Sequence, residues 1–248
     1  MSARTDALVA AAKTLSDVLD DVSFETPTAY VYNPLVYAWD MHETWLRTYG
    51  DSDKHTILLG MNPGPWGMAQ TGVPFGEIAA VRDWMKLSGD VDQPSPMHDK
   101  RKVEGFDCPR SEVSGRRLWG GIAARYPDAA DFFQDHFAVN YCPLLFLEEG
   151  AKNRTPDKLP KDERQAVEDA CDQHLREVCD VLHLERVIGV GAWAKKCAER
   201  ALKGRDVVIG TILHPSPASP LANKGWSKAA QANLEKQGFP MFIGDGPQ

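Results

Sequence analysis

The chain has 248 residues, 43% of them hydrophobic and 25% charged, a balance that suits one substantial α/β core rather than a fibrous, disordered or disulfide-stapled protein. No apolar run approaches the ~20 residues needed to cross a bilayer, and the acidic, amphipathic start MSARTDALVAAAKTLSDVLDDVSF lacks the basic head and apolar stretch of a secretory leader. No membrane association is expected. The expected location is the cytoplasm, beside the nucleoid in a bacterium, or the nucleus in a eukaryote. The net charge of −7 argues mildly against a polyanionic partner. Five cysteines, Cys108, Cys142, Cys171, Cys179 and Cys197, contain no C-x-x-C pair, so neither a disulfide framework nor a structural zinc site is expected.

In chain order, the pattern predicts a helix over residues 6–20, taken as an N-terminal helix of a single domain spanning residues 1–248, and a second helix over 35–49. A strand follows at 55–61, helices at 77–86 and 114–125, and a strand at 137–141. A long helix over 161–182, a strand at 186–190, a helix over 192–202, a strand at 207–213 and a helix over 223–236 complete the order. TILLG, RVIGVG and VVIGTIL are rich in Ile, Val and Leu without clean alternation, as in strands covered on both faces. The expected fold is therefore an α/β three-layer sandwich with a short, mostly parallel four-stranded sheet flanked by helices. Residues 88–111, rich in Pro, Gly and charge, read as a long surface loop.

In such folds ligands bind beyond the carboxyl ends of the strands. The first strand runs into Met61-Asn62-Pro63-Gly64-Pro65, the second into Asn140-Tyr141-Cys142-Pro143, and the fourth into His214-Pro215-Ser216-Pro217. The third runs into Gly191-Ala192-Trp193, which carries no obvious reactive group. G-x-S-x-G, Walker, GxGxxG and HExxH motifs are all missing, which weighs against esterase, nucleotide-phosphate, dinucleotide and zinc-protease chemistry. Two carboxamides and an imidazole suit a different task. An asparagine offers an acceptor and donors side by side, matching the polar edge of a pyrimidine. A histidine can donate to charge developing on a departing base, and a second asparagine can orient water. Each residue alone also has a plain structural reading: a turn asparagine at 62, a buried strand-end amide at 140, a cap or core histidine at 214.

The stretches GMNPGPWGMAQTGVPFGE (residues 60–77) and HPSPASPLANKGW (214–226), with NYCPLLF (140–146) and RSEVSG (110–115), resemble the motifs of the single-strand-selective monofunctional uracil-DNA glycosylases. The resemblance runs over roughly residues 30–238. It implies a monofunctional glycosylase that removes uracil, and 5-hydroxymethyluracil, from single- and double-stranded DNA, with no metal, no organic cofactor and no obligate protein partner. By that resemblance, Asn62 orients the attacking water and His214 stabilises the leaving uracil anion. Phe75 stacks on the flipped base and Asn140 reads its edge. Gly64, with Met61 nearby, leaves space at the pyrimidine 5-position. Lys100, Lys102, Arg110, Ser216, Ala218, Leu221 and Lys224 are the DNA-contact candidates, and activity is expected to fall as salt rises. One departure stands out: Ala218 occupies the wedge position that in the family is usually basic, and it is too small to fill a base-sized gap. Leu221 or a single-stranded substrate is the expected remedy. Other readings of the residues are a glycosylase with another base preference, a non-catalytic module for damaged or single-stranded DNA, and a nucleoside hydrolase.

Overall fold

The computed structural model describes residues 2–247. Helix α1 (Ala3–Asp20) is capped by the Ser2 hydroxyl and buries Leu8, Ala12, Leu15 and Leu19, one stripe at helical spacing. Strand β1 (Tyr30–Tyr32) leads into α2 (Pro34–Tyr37), started by the Asn33 side chain. The single helix expected over 35–49 is instead broken at Ala38, whose backbone leaves the helical region, and α3 (Trp39–Tyr49) follows. Next come β2 (Thr56–Gly60) and a four-residue helix α4 (Met68–Thr71). The helix expected over 77–86 is a short turn containing a π-helical stretch, Ala80–Trp84. Helices α5 (Val113–Ala123) and α6 (Ala129–Asp135) precede β3 (His136–Asn140). Then follow β4 (Leu145–Leu147), β5 (Asn153–Arg154), α7 (Lys161–Leu182), β6 (Arg186–Val190), α8 (Ala192–Ala201), β7 (Val208–Ile212) and α9 (Trp226–Lys236).

The main sheet is fully parallel, in the order β3-β2-β6-β7, with helices flanking it. All five residues of β2 are buried, and both of its faces are therefore covered, as its unbroken apolar run requires. From β2 the chain passes to β3 on one side, then crosses to β6 on the other, so the strand order switches direction between β2 and β6. A crevice opens at such a point, beyond the carboxyl ends of the strands. A second, antiparallel sheet, β1-β4-β5, was not expected from the sequence. Its strands are only two or three residues long, too short for a period-2 pattern to register. Helix α6 was missed for a similar reason, since seven residues rich in aromatics carry little helical signal.

The hydrophobic core gathers residues from Leu8 to Ile243, so both ends of the chain contribute to it. Its densest part is aromatic. Trp45 of α3, fully buried, stacks on Phe137 of β3 at a centroid separation of 4.9 Å and meets Phe133 edge-on at 4.9 Å. Trp119 of α5 approaches the Trp45 ring at 6.4 Å. This cluster joins three helices, α3, α5 and α6, to the edge strand that carries Asn140. Trp45→Ala is expected to lower unfolding free energy in urea by about 3–5 kcal/mol, the usual range for emptying a buried tryptophan site; a loss below about 1 kcal/mol would show that the cluster does not anchor this edge of the sheet.

Candidate active site

The site forms where the parallel register carries past the strand ends. Gly60 pairs with Asn140, and the ladder continues as Tyr141 N–H donates to the Gly60 carbonyl and Cys142 N–H to that of Met61, both at 2.9 Å. One residue further, the Asn62 side-chain amide donates to the Leu144 carbonyl at 3.1 Å. That bond commits the Nδ2 end of Asn62 to the protein and leaves Oδ1 as an uncommitted acceptor. Asn62 lines a cleft of about 460 Å³ together with Met61, Gly64, Trp66, Phe75, Glu112 and His214. His214 follows β7, two strands from β2, which corresponds to roughly 10 Å across the sheet, room for a flat heterocycle between them.

The hydrogen bonding of His214 defines its tautomer. The Ser216 N–H donates to Nδ1 at 3.1 Å, so Nδ1 carries a lone pair and the proton resides on Nε2. Burial lowers the pKa of His214 below the ordinary histidine value, which favours a neutral ring with a single N–H donor. The third strand end has a role after all. Gly191 lies against the His214 ring, and a β-carbon there would come within 3.2 Å of the His214 Cβ. The segment after His214 is braced from below by the buried Arg117, which donates to the Pro215 carbonyl and to Asn223 Oδ1, both at 3.0 Å. Asn223 in turn donates to the Pro217 carbonyl at 2.8 Å. Arg117 is thus a support of the loop rather than a surface cation.

Phe75 lines the cleft, and Asn140 stands beside it at the end of β3, lining not the cleft but a separate internal cavity with Trp45 and His174. Phe75 has a positive φ of 54°, a costly conformation for an aromatic residue. It is held there through its carbonyl, which accepts from Glu77 N–H at 2.7 Å and from Trp119 Nε1 at 3.0 Å. The Phe75 ring and the Asn140 carboxamide meet over Gly60. A β-carbon at Gly60 would lie 2.6 Å from Phe75 Cζ and 2.2 Å from Asn140 Oδ1, so only glycine fits. Asn140 is buried, and its Oδ1 has no hydrogen-bond partner among the described residues, while Nδ2 reaches only the Met68 sulfur at 3.2 Å. An unpaired buried amide oxygen is costly, and a donor on a bound ligand would relieve that cost.

Gly64 lines the cleft, and the side of it that a side chain would occupy faces Glu112. The volume that a side chain there would fill is occupied by the Glu112 carboxyl, with Oε1 only 2.0 Å from a β-carbon built on Gly64 and Oε2 2.0 Å from one built on Gly67. Both glycines let the loop after β2 fold over that carboxyl. Glu112 is the residue at the start of α5, and it makes no protein hydrogen bond through its side chain among the described residues. Burial, reinforced by the neighbouring Glu77, pushes its pKa up to about 7. Sequence reasoning missed it because a lone Glu in RSEVSG reads as a surface charge. Asn153 and Thr155, on and beyond the unexpected strand β5, also line the cleft. Among the described residues no group of three His, Cys, Asp or Glu side chains is placed to hold a metal ion.

The DNA-contact candidates fall into two groups. Ser216 lines the cleft, and its hydroxyl accepts from Ala218 N–H at 3.1 Å. Ala218, Leu221 and Lys224 are exposed beyond it, Leu221 with 64% of its surface open to solvent. Lys100, Lys102 and Arg110 line a second groove of about 450 Å³, which meets the cleft at Trp66.

Because the carboxyl of Glu112 is harder to ionise in the folded protein than in the unfolded chain, its penalty is absent below the usual Glu range and complete above about pH 7. Glu112→Gln is therefore expected to melt at a higher temperature than the native chain at pH 8 and at the same temperature near pH 4.5. An equal difference at both pH values would show that Glu112 does not titrate in this way.

No family model matches the chain. Curated relatives do. The single-strand selective monofunctional uracil-DNA glycosylases of Rattus norvegicus and Mus musculus are each 43% identical over 235 residues, covering 94% of this chain and 84% of theirs. The Bos taurus protein of the same name is 44% identical over 227 residues, 91% of this chain and 84% of its own. The crystal structure of wild-type Pedobacter heparinus SMUG2 superposes with a TM-score of 0.61 over 92% of this chain and 94% of that one, at 17% identity, and so shares the fold. Identity at this level over nearly the whole length, with the strand-end residues in place, shows that the chain belongs to the family of single-strand selective monofunctional uracil-DNA glycosylases.

Proposed function

We propose that this protein hydrolyses the N-glycosidic bond of uracil in DNA, releasing the free base and leaving an abasic site, the opening step of base excision repair. The observation that carries the reading is the pairing of an acceptor and a donor across one cleft: Asn62 Oδ1, freed by the bond from Nδ2 to Leu144, and His214 Nε2–H, defined by the bond from Ser216 to Nδ1. The target base must leave the stack to reach them. Phe75 then packs against the pyrimidine face, and Asn140 Oδ1 accepts from N3–H while its amide donates to O4. Cytosine presents the reverse pattern at that edge and leaves Asn140 unpaired again.

As the bond from C1′ to N1 lengthens, negative charge spreads onto the base, and the neutral His214 donates to its O2. A preformed donor in a dry site is worth most when charge develops in front of it. Asn62 holds a water through its carbonyl oxygen on the sugar side. The water oxygen bonds to C1′, the pair of electrons in the glycosidic bond leaves with the base, and the water's spare proton passes to solvent or to the departing anion. Asparagine is too weak a base to take that proton itself, so the mechanism relies on positioning and electrostatics. Among the described residues that line the cleft there is no lysine, and hydrolysis by water needs none. The Glu112 carboxyl at Gly64 makes 5-position selectivity depend on polarity as well as size: a 5-hydroxymethyl group finds a hydrogen-bond partner there, whereas a methyl group does not.

On a single-stranded oligonucleotide with one uracil, alkali-dependent strand cleavage is expected from the native chain. Asn62→Ala and His214→Ala should each lower the single-turnover rate by about 10²–10³-fold, as for removal of one anion-stabilising donor. Cleavage without alkali would indicate a lyase, and no base release from uracil or 5-hydroxymethyluracil would overturn the reading.

Action on duplex DNA belongs to the same proposal and needs a side chain to occupy the vacated stack. Ala218 is too short, and Leu221 is the exposed apolar side chain on the same loop. Leu221→Ala is expected to lower the ratio of duplex to single-strand activity several-fold; an unchanged ratio would remove Leu221 from this role.

A further inference from the structure

The residues 99–110 carry little regular structure, only one short 3₁₀ turn at Gly105–Asp107, yet they are tied down at several points. The buried Gln70 donates to both the Pro65 and the Lys102 carbonyls at 2.9 Å, and its Oε1 accepts from Glu104 N–H at 2.8 Å. One side chain thus joins the loop that forms the cleft to the loop that forms the neighbouring groove. Tyr32 O–H donates to the Arg101 carbonyl at 2.9 Å, and its oxygen accepts from His98 N–H at 2.7 Å. A segment held in this way presents its side chains at defined positions.

Four of those side chains, Lys100, Arg101, Lys102 and Arg110, are cationic, beside the acidic Asp99, Glu104 and Asp107. The guanidinium carbon of Arg110 lies 4.6 Å from the centroid of the Trp66 ring, and that of Arg101 lies 5.4 Å from it. Lys100 and Lys102 line the same groove. Asp99 and Glu104 line it too, but among the described residues none of the four cations has a carboxylate within ion-pair distance. Elsewhere, Arg4, Arg47, Arg82, Arg154, Arg186, Arg200 and Arg205 each take a carboxylate partner. In a chain of net charge −7, a groove lined by four cations against two carboxylates has a local excess of positive charge that attracts anions. Trp66 belongs to both the cleft and the groove, and Arg110 is followed directly by Ser111 and Glu112 of the cleft wall.

We propose that Arg101 and Arg110, held on the Trp66 ring, form a phosphate clamp for the DNA strand as it leaves the cleft, gripping the backbone of nucleotides next to the extruded base. The clamp reads backbone charge and needs no complementary strand, so it supplies affinity for unpaired DNA where the small Ala218 supplies no wedge. This proposal rests on the glycosylase reading for the direction of the strand, but its test does not use a lesion.

The full-length chain is titrated by fluorescence anisotropy against a uracil-free, single-stranded oligothymidylate over a series of salt concentrations. The Arg101→Ala/Arg110→Ala double variant should bind at least 10-fold more weakly at about 0.1 M salt. The slope of log affinity against log salt should shrink by about 1.4, the value for two single-strand phosphate contacts. Trp66→Ala should weaken binding in the same direction and Trp66→Phe should retain most of it, since the ring is what holds the two guanidiniums. Lys203→Ala, in the turn after α8 at the opposite end of the sheet, should leave the slope unchanged. Circular dichroism and melting temperature confirm that each variant is folded. An unchanged slope and affinity in a folded double variant would overturn the clamp, as would an equal loss of slope in Lys203→Ala. Binding with the expected slopes but without uracil release would leave the clamp standing and overturn the glycosylase reading; uracil release with an unchanged slope in the double variant would do the reverse.

Discussion

The pairing of β2 with β3, and its continuation beyond both strands, is the constraint on which the site depends. Parallel strands in register bring Gly60 beside Asn140, and two further backbone bonds carry the alignment to Met61 and Cys142. Asn62 can then reach Leu144, and that bond decides which end of its carboxamide faces the cleft. A slip of one residue would turn Asn140 to the opposite face of the sheet and move Asn62 away from Leu144. The aromatic stack of Trp45 on Phe137 opposes such a slip, because it fixes the edge strand against a helix. The packing of the core thus sets the geometry of the chemistry through the register of one strand pair.

Several costs are concentrated at the site and are borne by the surrounding structure. Phe75 sits at positive φ, Asn140 keeps a buried oxygen unpaired, and Glu112 holds a half-buried carboxyl that desolvation makes harder to ionise. Each is unfavourable in the free protein. Each is also adjacent to a glycine whose missing side chain makes room for it: Gly60 for Phe75 and Asn140, Gly64 and Gly67 for Glu112. The arrangement is that of a preorganised recess, in which polar groups are placed before the ligand arrives. Binding energy from the ligand is then not consumed in building the site.

The two loop systems around the cleft are stabilised by different means. The segment after β7 is supported by side chains from beneath, Arg117 and Asn223, and by Trp226 donating to the Leu213 carbonyl. The segment 99–110 is supported by Gln70 and Tyr32, which bind its carbonyls. Both present outward side chains to solvent: apolar Leu221 on one, cations on the other. Distinct tasks follow from this, with one loop suited to filling a gap in stacked bases and the other to holding backbone charge.

The sequence by itself determined the parallel sheet, because buried runs such as TILLG and RVIGV admit few other environments, and it determined which residues stand at the strand ends. The long helix α7 was legible from end to end, since 22 residues of amphipathic pattern average out local noise. The motifs around Asn62 and His214 identified the family because they are long, contiguous and chemically unusual. Only the tertiary structure decided the rest. Short strands β1, β4 and β5 exist by pairing with one another rather than through any pattern of their own, and they bring Asn153 and Thr155 to the cleft. That Gly64 is space for Glu112 depends on a contact between residues far apart in the chain, as does the meeting of Arg101 and Arg110 on Trp66. Periodicity and motifs report what a residue's immediate neighbours demand of it. Which distant side chain fills the space that a glycine leaves, and which amide end is left unbonded, are set by packing in three dimensions.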